Sequence, residues 1–214
     1  MSPKKPKTTT KQQIAQKRKE LDMSFADFSS VKRTNNLNWL RRQIAYDYIM
    51  DNASLPITLD SIRDLHQMLC KNTNIDGYRF RTTGCKLQMT INGEQYHAPD
   101  SHFIEYELCQ IVYRLNNSKR DVFTRAYDIH YELIMLQPFD DFNKRTARLV
   151  MNWVLLQNGY RPIAFNKRSD KEAYIRAISE RANGDKRAYT EYMSKCQLRT
   201  QKDILKHLRD SKIL

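Results

Sequence analysis

Gln137-Pro138-Phe139-Asp140-Asp141-Phe142-Asn143-Lys144-Arg145-Thr146-Ala147-Arg148 is the stretch on which the fold turns, because of what lies on either side of it. Upstream, Ala126, Ile129, Leu133, Ile134 and Leu136 recur at helical spacing. Downstream, Leu149, Val150, Trp153 and Val154 do the same. Pro138 lacks the N–H that would carry the first helix onward, and Asn143 can cap the second. The second helix therefore opens with Lys144, Arg145 and, slightly later, Arg148. A helix start already exposes unpaired N–H groups and the positive end of its dipole, so cations there are unfavourable unless an anion faces them. Two readings follow: a cradle for phosphates, or an interhelical turn with solvated charges.

The surrounding chain reads as mostly helical. Its 214 residues suffice for one sizeable domain with a short appendage. Only five glycines and six prolines punctuate it, and strand-like runs are few. Leu37, Leu40, Ile44, Tyr48 and Ile49 share one helical face, which predicts a helix ending near Ala53. Thr58 can cap the next, with Ile62, Leu65, Met68 and Leu69 facing inward. Pro99 opens a helix that uses Phe103, Tyr106, Leu108, Ile111, Val112 and Leu115, and Asn116-Asn117-Ser118 turns the chain toward the motif. Ala173, Tyr174, Ala177 and Ile178 predict a further helix, stopped by Asn183-Gly184-Asp185. Residues 196–214 read as a basic C-terminal helix with Ile204, Leu205 and Leu208, suited to covering the core or to joining a homodimer. The strong hairpin signal is Leu87 to His97, where Asn92-Gly93 supplies the positive φ angles of a tight turn between alternating segments.

Charge and cysteine usage narrow the partners. A formal net charge of +13 permits nucleic-acid binding without requiring it. Lys4, Lys5, Lys7, Lys11, Lys17, Arg18 and Lys19 face the single acid Glu20, so residues 1–20 read as a basic disordered tail. That tail is either simply solvated or attached to nucleic acid or an acidic partner. Residues 21–54 form an N-terminal helical segment. Cys70, Cys85, Cys109 and Cys196 show no Cys-x-x-Cys spacing and read as reduced thiols of a cytoplasmic protein, or of an effector delivered into another cell. No apolar run approaches a membrane span, and no signal peptide is expected.

The motif resembles the signature of the Fic/Doc family, His-Pro-Phe-x-Asp/Glu-Gly-Asn-Gly-Arg-x-x-Arg. Pro138, Phe139, Asp141, Asn143, Arg145 and Arg148 match it, and Ala126 to Leu136 and Met151 to Ile163 are similar to the family's flanking helices. The resemblance implies a mainly α fold, a Fic-type helical bundle with one β-hairpin flap, over residues 55–195. It implies ATP and Mg as cofactors, and a nucleotide and a hydroxyl-bearing target protein as partners. The implied reaction is transfer of AMP, or of phosphate in the Doc branch, to that hydroxyl. Asp141 would then hold magnesium, which suits a hard carboxylate oxygen, with Asp140 a competing ligand. Asn143 would bond a phosphate or shape the anion loop, and Arg145 and Arg148 would pair with phosphate oxygens. Lys144 stands where most members have Gly, and the Doc branch shares it. Met89, Thr90 and Ile91 would hold the target by main-chain pairing along the flap. Tyr78-Arg79 resembles a Tyr-Arg that leads the family's chain toward its active site. Purely structural roles stay open for these residues: a helix-dipole acid at Asp141, a cap at Asn143, surface charge at the arginines.

The largest departure is Gln137, which occupies the place of the family's general-base His. Its amide forms hydrogen bonds but takes up no proton near neutrality, and loss of a general base costs roughly 10²–10⁴ in rate. Phe142 replaces a small residue. His130 lies two helical turns before Gln137, about 10 Å away along the axis, so it reads as a packed histidine rather than a substitute base. His97 and His102 near the flap are remoter substitutes, and His66 and His207 suggest no metal spacing. Ser29 to Leu37 resembles the family's inhibitory Ser-Ser-x-Ile-Glu-Gly-Asn-x-Leu, with Arg33 at the Glu position. The expectation is a nucleotide-binding Fic-fold protein, impaired at Gln137. The alternatives are a non-catalytic regulator, a pseudoenzyme, or a nucleic-acid-associated basic protein.

Overall fold

A computed structural model describes residues 36–91, 93–165 and 170–210. The tail at 1–20, the Arg33 stretch up to residue 35 and residues 211–214 lie outside them. In chain order the elements are α1 (Asn36–Asp51), α2 (Leu59–Cys70), β1 (Lys86–Ile91), β2 (Glu94–His97), a 3₁₀ turn (Ser101–Phe103), α3 (Ile104–Asn117), α4 (Val122–Leu136), α5 (Asn143–Gln157), α6 (Asp170–Ala182) and α7 (Lys186–Asp210). This is a mainly α bundle carrying one small antiparallel hairpin, as expected from the sequence.

The bundle is built around α5. From Thr146 to Leu155 every residue of α5 is buried, the pattern of a helix covered on all sides. α4 packs along it most extensively, α2 and α1 cover it from another side, α3 backs α4, and α6 and α7 form a hairpin whose α7 reaches α4. Trp153, Phe139, Phe165 and Tyr189 are among the largest fully buried side chains. No helix of the described residues is long and apolar enough to cross a membrane.

Local chemistry accounts for most of the boundaries. Thr58 caps α2 in a reciprocal box: Ser61 N–H donates to Thr58 Oγ1 at 3.1 Å and Thr58 N–H to Ser61 Oγ at 2.8 Å. Asp121 caps α4 through the Thr124 N–H at 2.9 Å. Gly184, at φ +101, separates α6 from α7.

Four expectations need correction. Asn143 does not cap α5; it is the first residue of the helix, and Phe142 occupies the cap position with no side-chain hydrogen bond. Asp100, not Pro99, starts the next turn by accepting the His102 N–H at 2.9 Å. Phe103 and Tyr106 point outward, 59% and 63% exposed, because the core face of α3 is already filled by Ile104, Leu108, Ile111 and Leu115. Residue 196 lies inside α7, which runs unbroken from Lys186 to Asp210. In its second half Ile204 is buried while Leu198 and Leu205 are exposed.

Candidate phosphate-binding site

The turn between α4 and α5 is a tightly tied loop. Gln137 ends α4 in the left-handed region, at φ 47 and ψ 62. Its backbone N–H donates to Leu133 O at 3.1 Å and its Nε2 to Ile134 O at 2.7 Å, so two carbonyls at the helix end are satisfied by one residue. With one N–H of Nε2 committed, the side chain keeps its second N–H and its carbonyl oxygen, a donor and an acceptor with no useful basicity.

Across the loop, Phe139 N–H donates to Asn143 Oδ1 at 2.9 Å and Asn143 Nδ2 to Phe139 O at 2.7 Å. The Asn143 side chain therefore closes a ring over residues 139–143. The exposed Asp141 carboxylate accepts the Phe142 N–H at 2.6 Å. Phe142 sits at φ +56, a conformation that favours Gly.

Two buried groups hold this loop from beneath, and sequence reading gave neither a role in it. Arg81, 3% exposed, donates from Nε to Gln137 O (2.6 Å), from Nη1 to Thr83 O (2.7 Å) and from Nη2 to Pro99 O (2.6 Å) and Leu136 O (3.3 Å). Its own N–H donates to Pro138 O at 3.0 Å. A guanidinium here also meets the negative end of the α4 dipole. Arg79, two residues earlier, is exposed. His66 stacks on Phe139 at 3.7 Å with the rings 4° apart. Its Nδ1 lies 2.6 Å from Gly77 O and its Nε2 2.9 Å from Asp141 O. Burial lowers the His66 pKa, against the opposing pull of those two carbonyls and of Asp141 and Asp140. The available clue was its place on the inward face of α2, beside Ile62, Leu65 and Leu69.

The cations gather at the start of α5. Arg145 lies over the Phe142 ring at 4.6 Å. Arg148 is buried, and its charge adds to the burial that lowers the His130 pKa and opposes the burial that raises the Tyr174 pKa. Lys144, at the exposed edge, is held below its ordinary pKa by desolvation first, then by the charges of Lys171 and Arg148; Asp141 opposes the shift. Lys171, from the first turn of α6, thus adds a cation that sequence reading did not place. A lysine whose proton affinity is lowered in part by neighbouring cations marks an excess of positive potential, which an anion relieves.

Behind Arg148 lies a directed chain of hydrogen bonds. Tyr189 O–H donates to Tyr127 O at 3.0 Å, so its oxygen accepts from His130 Nδ1 at 2.7 Å. That leaves His130 Nε2 to accept from the Tyr174 hydroxyl at 2.9 Å. Burial, with Arg148 and Arg181, pushes the His130 pKa down to about 3. His130 is the packed histidine the sequence predicts.

The hairpin stands beside the loop. Thr90 pairs with Gln95 and Ile91 with Glu94, then the register breaks before Lys86 pairs with His97. Gly93 carries the turn at φ +85. Tyr96 O–H donates to Met135 O at 3.1 Å, tying the hairpin to the last turn of α4. Thr90 is exposed, Ile91 packs partly against the core, and β1 pairs only with β2 among the described residues.

Comparison with known proteins matches this architecture. A family model described as Fic/DOC family fits residues 56–155. The protein adenylyltransferase Fic of Drosophila grimshawi is 29% identical over 202 residues, covering 87% of this chain and 38% of that protein. The protein adenylyltransferase fic-1 of Caenorhabditis elegans is 31% identical over 144 residues, covering 65% of this chain and 27% of its own length. The chain thus spans well under half the length of these curated relatives. Among solved structures, a Fic domain containing signaling protein from Bacteroides thetaiotaomicron superposes with a TM-score of 0.72 at 17% identity, over 91% of this chain and 90% of that one. IbpAFic2 covalently tethered to Cdc42 gives a TM-score of 0.60 at 21% identity, over 90% and 65% of the two chains. The fold and the matched residues agree: the chain carries a Fic/DOC-family domain over residues 56–155.

Proposed function

We propose that this protein binds ATP by its phosphates at the start of α5, and that Gln137 impairs the family reaction, transfer of AMP to a hydroxyl of a target protein. The observation that carries the reading is that Lys144, Arg145 and Arg148 stand in the first two turns of α5, where the charges of Lys171 and Arg148 also act on Lys144. Asn143 shapes the anion loop at the start of α5, while Arg145 and Arg148 supply planar pairs for phosphate oxygens. The relatives named adenylyltransferases support AMP as the transferred group.

Magnesium fits the site in one limited way. The described residues gather no cluster of three or more His, Cys, Asp or Glu, so the ion would rest on Asp141 and on the nucleotide's own oxygens, as Mg²⁺ commonly does. Bound there, it would neutralise phosphate charge. A target hydroxyl presented by β1 at Met89, Thr90 and Ile91 would meet Gln137 Oε1, which accepts its hydrogen bond and orients it without removing the proton. The product of this geometry is a held target, with slow turnover.

Titration calorimetry with ATP and magnesium tests the cradle. Micromolar-range binding that Arg145→Ala abolishes supports it; absence of binding to the unaltered chain refutes it. The alternative of a nucleic-acid-associated protein rests on the basic tail. It predicts binding that falls steeply with salt and disappears on removal of residues 1–20.

A further inference from the structure

α3 and α4 do not close completely on one another. Between them lies a cleft of about 330 Å³, at the lower end of the range for small-molecule sites. Its floor is apolar, formed by Ile111 and Leu115 of α3 and Ile129 of α4, all buried. Its walls are charged, with Arg114, Arg120, Arg125, Asp128 and Glu132 lining it. Arg125 stands about 18 Å along α4 from Gln137, so the cleft is separate from the phosphate cradle.

The charges of the walls do not balance. Arg114 pairs with Glu132 at 3.3 Å. Asp128 is shared by Arg120 at 3.0 Å, Arg181 at 2.7 Å and Lys186 at 2.9 Å, so one carboxylate already serves three cations. Arg125, one turn before Asp128, is left over. Among the described residues it has no carboxylate partner. Its Nε is buried without an acceptor, and its guanidinium reaches only Asn158 Oδ1, from Nη2 at 3.5 Å. A half-buried guanidinium whose charge is unanswered is costly beside an apolar floor. Burial raises the pKa of Glu132 in the same cleft. Such surroundings are poor in water, and there an added charge pair is worth more than on an open surface.

We propose that this cleft binds a small organic monocarboxylate, with its carboxylate on the Arg125 guanidinium and its hydrocarbon body on Ile111, Leu115 and Ile129. One uncompensated guanidinium calls for one carboxylate, with which it can make two parallel hydrogen bonds. The apolar floor calls for a body without further charge. The site is independent of nucleotide binding. Titration of the ¹⁵N-labelled chain with 3-phenylpropanoate, in the absence of nucleotide, tests it through amide shifts. Saturable shifts in residues 111–132 are expected, with a dissociation constant of roughly 0.1–1 mM for a ligand of this size. 3-Phenylpropan-1-ol has the same body without the charge and should bind at least about tenfold more weakly. Arg125→Gln should weaken the carboxylate by a similar factor, and Arg145→Ala, in the phosphate cradle, should leave its affinity unchanged. Absence of saturation by ~10 mM overturns the proposal. So do shifts centred on residues 137–148, loss of binding in Arg145→Ala, an alcohol that binds as well as the carboxylate, or Arg125→Gln binding as tightly as the native chain.

Discussion

Lowering the pH should destabilise this fold well before its carboxylates titrate, and His130 is the reason. In the unfolded chain the imidazole takes up a proton near its ordinary pKa of 6.5; in the fold that uptake waits until about 3. Between those values the unfolded state binds more protons, so stability is full above about pH 6.5 and falls as the pH drops toward the folded value. Each unit is worth about 1.4 kcal/mol, so moving from pH 6.5 to 4.5 should remove roughly 2–3 kcal/mol through this one residue. Urea unfolding at several pH values, followed by the fluorescence of the buried Trp153, measures it. His130→Leu supplies the control: it removes one hydrogen bond from each of the Tyr174 and Tyr189 hydroxyls and lowers stability at every pH, but removes the titration. The native protein should lose about 2–3 kcal/mol more than the variant over that window. Equal losses in the two proteins would show that His130 titrates normally, and the account of the buried hydrogen-bond chain would be wrong.

Three further substitutions test the loop supports. Phe142→Gly relieves a side chain held at φ +56, and thermal or urea unfolding should show it stabilised by about 1 kcal/mol. Arg81→Ala leaves four carbonyls without their donor, and should cost at least about 3 kcal/mol in the same unfolding measurement. Gly77→Ala places a Cβ 2.5 Å from Gln67 Cα and 2.9 Å from Cys70 Cβ, so it should cost about 1–3 kcal/mol and loosen the carbonyl that His66 holds, visible as faster amide exchange in residues 139–142.

How much was legible beforehand depends on the range over which each interaction acts. Helices were readable because their apolar spacing is local, and Thr58 and Gly184 mark ends through chemistry within a few residues. Asn143 was misassigned as a cap because its partner, Phe139, lies four residues back across a turn whose path a linear pattern does not show. Phe103 and Tyr106 look inward by hydrophobicity, yet a helix has one core face and four other side chains already fill it. Arg81 and His66 were passed over for a deeper reason. Their partners, Gln137 O and Asp141 O, are backbone atoms 56 and 75 residues away, and backbone carbonyls leave no trace in residue identity. Lys171 joins the cationic cluster only because α6 folds back beside the start of α5.

Within the motif the loop's hydrogen bonds and its cations serve different ends. Asn143, Arg81 and His66 fix the path of the backbone, whereas Lys144, Arg145 and Arg148 crowd positive charge at its mouth. Gln137 belongs to the first group: its Nε2 bonds Ile134 O and helps end α4. It thus fits the fold while lacking the lone pair basicity that proton removal needs.

The rate of label transfer from ATP to target protein, compared between the native chain and Gln137→His at saturating nucleotide, reads out whether residue 137 limits proton removal. Restoring an imidazole should raise transfer by about 10²-fold or more, with ATP affinity little changed. Equal rates in the two proteins would contradict it, because the proton would then be leaving by a route that does not involve residue 137.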